Sequence, residues 1–283
     1  MVVAEFDEIA QVYDETRRPL DEETVRGMKE MLTKHGCHSI LEIGVGTGRV
    51  AVPLEMSGFE ITGVDISRKM MEIASGKGIK NLVLAIGNQV PFKDKTFDAT
   101  IMAHVFHLLE DPIPVLKESA RACRIGVFAL IRKGARGERW EGFVYGIPDI
   151  NGPQGNQAVE IDEPTRKYYE ERRERFRVLA TKYGWKPDLS RMRRWEKEQE
   201  ILAMHPPDDL RIVSDVVVNE SIEDRINRFE KGAFSSISTM PEEMRKELVS
   251  EMRESAAKHP ERASHSRHEI YQLAMWNPGT LNQ

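Results

Sequence analysis

The chain has 283 residues, 40% hydrophobic and 31% charged, enough for one α/β domain with helical additions or for two small domains. No apolar run approaches the roughly 18 residues that span a bilayer, the first residues carry acids where a secretory signal would be basic, and two cysteines are too few for a disulfide framework or a four-thiolate metal site. A net charge of −5 argues against wholesale nucleic-acid binding, and a cytoplasmic protein in a reduced compartment is expected.

In chain order, residues 5–18 put Phe6, Ile9, Ala10 and Tyr13 on one helical face. After Pro19 a second helix is predicted from about Glu22 to Lys34, with Gly36 as its C-cap. His35, Cys37 and His38 are zinc ligands by type, but they share one short turn and have no second ligand pair at finger spacing, so no metal is expected. The apolar run from Ser39 to Ile43 reads as a buried strand, and it feeds Gly44, Gly46 and Gly48. Glycines spaced so closely cost backbone entropy, which points to unusual dihedrals or to a ligand lying against the main chain. A dinucleotide fingerprint would need its third glycine five residues after the first, and Arg49 stands there. A nicotinamide cofactor is therefore not expected.

A helix follows over 50–57 and then a strand over 59–65, ending in Asp65, an acid placed to accept both hydroxyls of a ribose. Strands are predicted over 81–87 and from Phe97, the latter leading into a loop with His104 and His107. Asp111 caps the next helix, 113–123, with Pro112 in its first turn, and a fifth strand runs over 124–132. Residues 134–163 hold six glycines and two prolines and read as a long loop. Helices over 165–183 and 190–204 carry apolar stripes, Tyr169, Phe176, Leu179 and Tyr183 on one, Met192, Trp195 and Leu202 on the other, that are expected to pack together. Strands at 210–218 and 268–276 enclose two more helices, 221–234 and 241–258. From Pro164 to Lys197 there are 12 Lys/Arg against 5 Asp/Glu, which reads as a solvated helical face, an anion-attracting lid or an RNA contact.

Four stretches carry a family resemblance: F-D-x-I-A-x-x-Y-D from Phe6, E-x-G-x-G-x-G from Glu42, N-Q-V-P-F from Asn88, and F-D-A-T-I-M-A-H-V-F-H-L-L-E-D-P from Phe97. Together they resemble the class I S-adenosylmethionine (SAM) dependent methyltransferases of the ubiquinone/menaquinone type. The resemblance implies a doubly wound, seven-stranded, mostly parallel Rossmann-like sheet whose last strand is antiparallel and inserts beside the fifth. It divides the chain into an N-terminal cap (1–36), a SAM-binding core (37–133), an inserted loop and helical lid (134–207), and the last two core strands with a helical pair between them (208–283).

The same resemblance assigns Glu42, Gly44, Gly46, Gly48 and the Ala103 carbonyl to the methionine half of SAM, and Asp65 to its ribose. Ile66 and Met70 would lie against the adenine, with Asn88 and Gln89 at its edge, Asn88 standing where relatives carry an acid. Tyr13 and Arg17 become candidates for ligand contact. His104 and His107 are candidate general bases at the end of a central strand, where open parallel sheets place their ligands; Leu108 replaces the second histidine of the family's pair. The expected function is methyl transfer to a small-molecule acceptor without a metal or a membrane, the alternatives being an RNA-modifying enzyme acting through 164–197 and a SAM-binding protein that transfers nothing.

Overall fold

The computed structural model describes residues 2–133, 163–186, 194–231, 239–260 and 264–281. The chain divides into two compact units, one formed by residues 1–133, 193–216 and 269–283, the other by 134–192 and 217–268. The anticipated long loop falls, over 134–162, outside the described residues.

Seven strands form one sheet: β1 (Ser39–Ile43), β2 (Glu60–Asp65), β3 (Asn81–Leu84), β4 (Phe97–Ala103), β5 (Cys123–Lys133), β6 (Asp209–Ser221) and β7 (Ser264–Trp276). Their order is β3-β2-β1-β4-β5-β7-β6, with β1 to β5 parallel and β7 antiparallel to β5, so that Val127 stands opposite Trp276 and Lys133 opposite Ile270. The expected doubly wound architecture is present, antiparallel strand included. β1 is central because its side chains are apolar on both faces. Ile40 enters the cluster formed with Met28, Leu32, Leu54, Ile61 and Leu130, whereas Leu41 and Ile43 enter the one on the opposite face, with Phe106, Leu116 and Val127.

The connecting helices begin where the sequence supplies caps. Asp21 accepts from the Thr24 N–H at 2.8 Å to start α2 (Glu22–Lys34), and Ser67 caps α4 (Arg68–Gly76) by accepting from the Met70 N–H at 3.2 Å. The short α3 (Ala51–Met56) follows the glycine turn, and Asp111 accepts from the Ile113 N–H at 3.0 Å ahead of α5 (Ile113–Ala122). α1 (Val2–Thr16) precedes them all. β3 is shorter than the predicted 81–87, and Gly87 beyond it passes so near the sheet that a β-carbon would meet Ile43 Cγ2 at 2.8 Å.

One packing expectation is corrected. Ile201 and Leu202 of α7 (Arg194–Met204) belong to the sheet cluster containing Phe106 and Trp276. Phe176 and Leu179 of α6 (Glu163–Lys182) belong instead to the core of the second unit, with Ile226 and Phe229 of α8 (Ile222–Glu230) and Met244 and Leu248 of α9 (Glu242–Lys258). The described side chains of each stripe meet an apolar surface of their own unit, which periodicity alone does not choose, and Met192 lies outside the described residues. No helix among the described residues is long and apolar enough to cross a membrane.

Candidate active site

The turn after β1 has a backbone only glycine adopts readily. Gly44, Gly46 and Gly48 have φ of 79°, 53° and 82°. Space also matters at Gly44, where a β-carbon would lie 2.6 Å from Val105 Cγ2. At Gly46 nothing lies within 4 Å of that position, so its bare main chain faces open space. Bonds from the N–H groups of Gly44 and Val45 to the Val64 carbonyl, 2.8 and 3.0 Å, lock the turn against the end of β2.

Two acids flank this turn. Glu42 is buried, its Oε2 has no hydrogen-bond partner, and burial, reinforced by the nearby Asp65, holds its carboxyl well above the usual range; the Ala51 N–H opposes that only in part. Asp65 is also raised, chiefly by burial, although it accepts from the Gly46 N–H at 2.8 Å and the Ser67 N–H at 2.9 Å. A carboxylate has about four lone-pair positions, so these bonds leave Asp65 able to accept from a ligand. The carboxyl oxygen of Glu42, buried without a donor at the mouth of an open glycine turn, suits a cationic ligand group.

α1 is fastened beside the turn by the two acids of the F-D-x-I-A-x-x-Y-D segment, to which the sequence assigned no role. Asp7 accepts from the Ser67 hydroxyl at 2.6 Å. Asp14 accepts from the Thr47 hydroxyl at 2.6 Å and pairs with Lys77 at 2.6 Å, while Lys77 also donates to the Thr47 carbonyl at 2.8 Å. The two acids lie seven residues apart and so share one helix face, here that of the buried Ala10. Farther along, the Arg17 guanidinium lies 5.2 Å from the centre of the Tyr13 ring.

The end of β4 supplies the remaining predicted residues. Ala103 packs partly buried against the sheet cluster. His104 takes φ 58°, a left-handed conformation that, among the described non-glycine residues, it shares with Lys95. Its Nε2 is buried without a partner, and its ring meets Tyr271 edge-on with centroids 5.6 Å apart. Burial, then the charges of Arg49, His107, Arg132 and Arg17, push the imidazole well below its ordinary range, so it is neutral at pH 7. His107, in a 3₁₀ turn over Phe106–Leu108, has Nδ1 at 3.5 Å from the buried Glu198 of α7.

The adenine candidates are placed less uniformly. Met70 is buried in α4 and Ile66 is half-buried beside Asp65. Asn88 and Gln89 are exposed beyond β3, and Asn88 borders a broad open hollow with Lys95, Lys117, Arg121 and Arg124. The two arginines of that hollow are already committed, Arg121 to Glu118 and Asp94, and Arg124 to Asp98. Among the described residues no group of three His, Cys, Asp or Glu side chains could hold a metal. Cys37 is buried, and His38 lies 3.5 Å from Glu60.

Residues 41–131 match the family model described as a methyltransferase domain. The chain is 35% identical over 124 residues to an uncharacterised protein of Methanocaldococcus jannaschii, covering 43% of this chain and 57% of that one. It is 35% identical over 127 residues to the demethylmenaquinone methyltransferase of Thermotoga maritima, covering 42% and 55%. The chain thus spans about half the length of these relatives. A solved structure from Anabaena variabilis superposes with a TM-score of 0.52 over 91% of this chain and 98% of that one at 13% identity, a likeness of fold. Sheet order and glycine turn accompany that match: over residues 41–131 the chain is similar to the methyltransferase-domain family.

Proposed function

We propose that the protein transfers a methyl group from SAM to a small-molecule acceptor. The observation that carries this reading is the buried, unpartnered carboxyl oxygen of Glu42 directly before three left-handed glycines. SAM supplies an electrophilic methyl on a sulfonium, a leaving group that needs no acid. What remains for the chain is binding, alignment and exclusion of water.

Glu42 would take the ligand's ammonium, with the Ala103 carbonyl as a second acceptor, and the turn from Gly44 to Gly48 would let an amino-acid moiety lie against bare backbone. Asp65 would accept from the ribose hydroxyls; Ile66, Met70, Asn88 and Gln89 would serve the adenine. Tyr13 and Arg17 would close the side that α1 covers. His104, held neutral, suits a hydrogen bond to the acceptor better than proton removal, because protonating it would add positive charge beside three arginines. His107 acts through Glu198, fixing the loop that presents His104.

A thermal-shift series with SAM, S-adenosylhomocysteine and NAD tests the reading. Either sulfur ligand at 100 times its Kd is expected to stabilise the fold by about 2.7 kcal/mol, and NAD to do nothing. Stabilisation by NAD alone would overturn it. Turnover of labelled SAM with any acceptor separates an enzyme from a protein that only binds the donor.

A further inference from the structure

Arg49, Arg132 and Arg17 all act on His104 at the end of β4, and Arg132 projects from the sheet face that also carries Glu42. Side chains alternate along a strand, so Arg132 shares the face of Leu130 and Phe128, whose cluster includes Ile40, and Glu42 follows Ile40 at the same period. In the antiparallel pairing of β5 with β7, Arg132 stands opposite Tyr271. The two side chains therefore project to one side.

Arg49, the residue after the third glycine, lies near enough to Tyr271 for its charge to act on the hydroxyl, and its Nε is buried without a partner. The Tyr271 ring abuts His104, whose Nε2 is likewise buried and unpartnered. Arg132 reaches Glu269 at 3.4 Å, and Arg17 acts on His104 from the end of α1. Positive groups drawn toward one buried, neutral imidazole are unfavourable unless something anionic offsets them. Glu269 pairs with Arg132. Glu42 lies on the same face, but its own environment favours the protonated form.

We propose that Arg49 and Arg132, with the Tyr271 hydroxyl and His104 Nε2, form a seat for an anionic oxygen group of the methyl acceptor, a carboxylate or a phenolate. The inference rests on the methyltransferase reading and adds the acceptor's chemistry to it. Arginine suits the task because its planar fork matches a two-oxygen anion, and His104 and Tyr271 complete the seat with polar atoms that need no net charge. Each residue of the seat lies in the first unit and is held by the sheet or by the turn that follows β1.

The test uses the full chain saturated with S-adenosylhomocysteine, titrated with benzoate, with benzamide and with 4-nitrophenol. Benzoate is expected to bind about tenfold or more tightly than the uncharged amide, since a hydrogen bond to a charged group is worth that much. Bound 4-nitrophenol is expected to ionise about one to three pH units lower than in solution, read from its visible absorbance. In R132M both effects are expected to collapse while S-adenosylhomocysteine binds as in the parent. R132K, which keeps the charge without the fork, is expected to retain part of the phenol shift, and it stands in should R132M not fold.

Three results would overturn the seat. They are equal binding of benzoate and benzamide with an unshifted phenol, retention of both effects in R132M, and loss of S-adenosylhomocysteine affinity in R132M, which would give the arginine to the donor's own carboxylate. Failure of the parent chain to bind S-adenosylhomocysteine would be a different result, removing the methyltransferase reading itself.

Discussion

Glu42 is the residue at which folding and binding pull in opposite directions. Its carboxyl titrates from 4.5 in the unfolded chain to a higher value in the fold, so its favourable contribution is complete below pH 4.5 and is lost as pH rises through the folded value. A bound ammonium reverses the preference. Donor binding should therefore release a proton and strengthen with pH until the free carboxyl is ionised, visible as a buffer-dependent binding enthalpy. E42Q should abolish that proton release and weaken S-adenosylhomocysteine binding about tenfold or more, leaving the free protein at least as stable at pH 7. The glycines make a second residue-scale prediction. G46A should cost about 1–2 kcal/mol for its left-handed φ alone, whereas G44A should cost more because its β-carbon also strikes Val105. Urea unfolding of the free protein checks that order. Donor titration should invert it, because the open space lies before Gly46.

At the scale of elements, α1 illustrates what a sequence shows and what it conceals. Its amphipathic face was legible, as were β1, the glycine turn and β2 ending in Asp65, since each depends on neighbours within a few residues. The fastening of α1 was not, because Ser67, Thr47 and Lys77 come near only once β2 and α4 are placed. Exposed ion pairs are worth little individually, so D14N should not unfold the protein. It should loosen α1, and amide hydrogen exchange over residues 6–15 should speed up several-fold relative to α2. Equal protection in the parent and in D14N would show that the apolar face holds the helix unaided. The meeting of Arg132 with Tyr271 was less legible still. It depends on the register of two antiparallel strands about 140 residues apart in sequence, and a slip of one residue would send the tyrosine to the other face.

Over the whole molecule, carboxyl groups divide by their surroundings. Asp21, Asp98 and Glu118 are held below their ordinary range by hydrogen bonds that outweigh burial, and Asp209 is drawn down to about 2 by Arg211 and Lys34. Groups of this kind contribute stability above their unfolded values, near 3.8 to 4.5, and lose it as pH falls through their folded ones. Asp98 ties the start of β1 to β4 and β5, accepting from the His38 and Ser39 N–H groups at 3.0 and 2.8 Å and pairing with Arg124 at 2.6 Å. D98N should lower the melting temperature at pH 7 and flatten its fall below about pH 4, since the charge that acid would remove is already gone. The sequence anticipated the strand order through family likeness, yet the division into two units required contacts that no local pattern contains. The place of β7 between β5 and β6 also dictates a schedule. During synthesis the ribosome delivers β5 and then β6 well before the strand that must separate them, so a nascent chain has to keep the β5 edge from mispairing until residue 276 has left the exit tunnel.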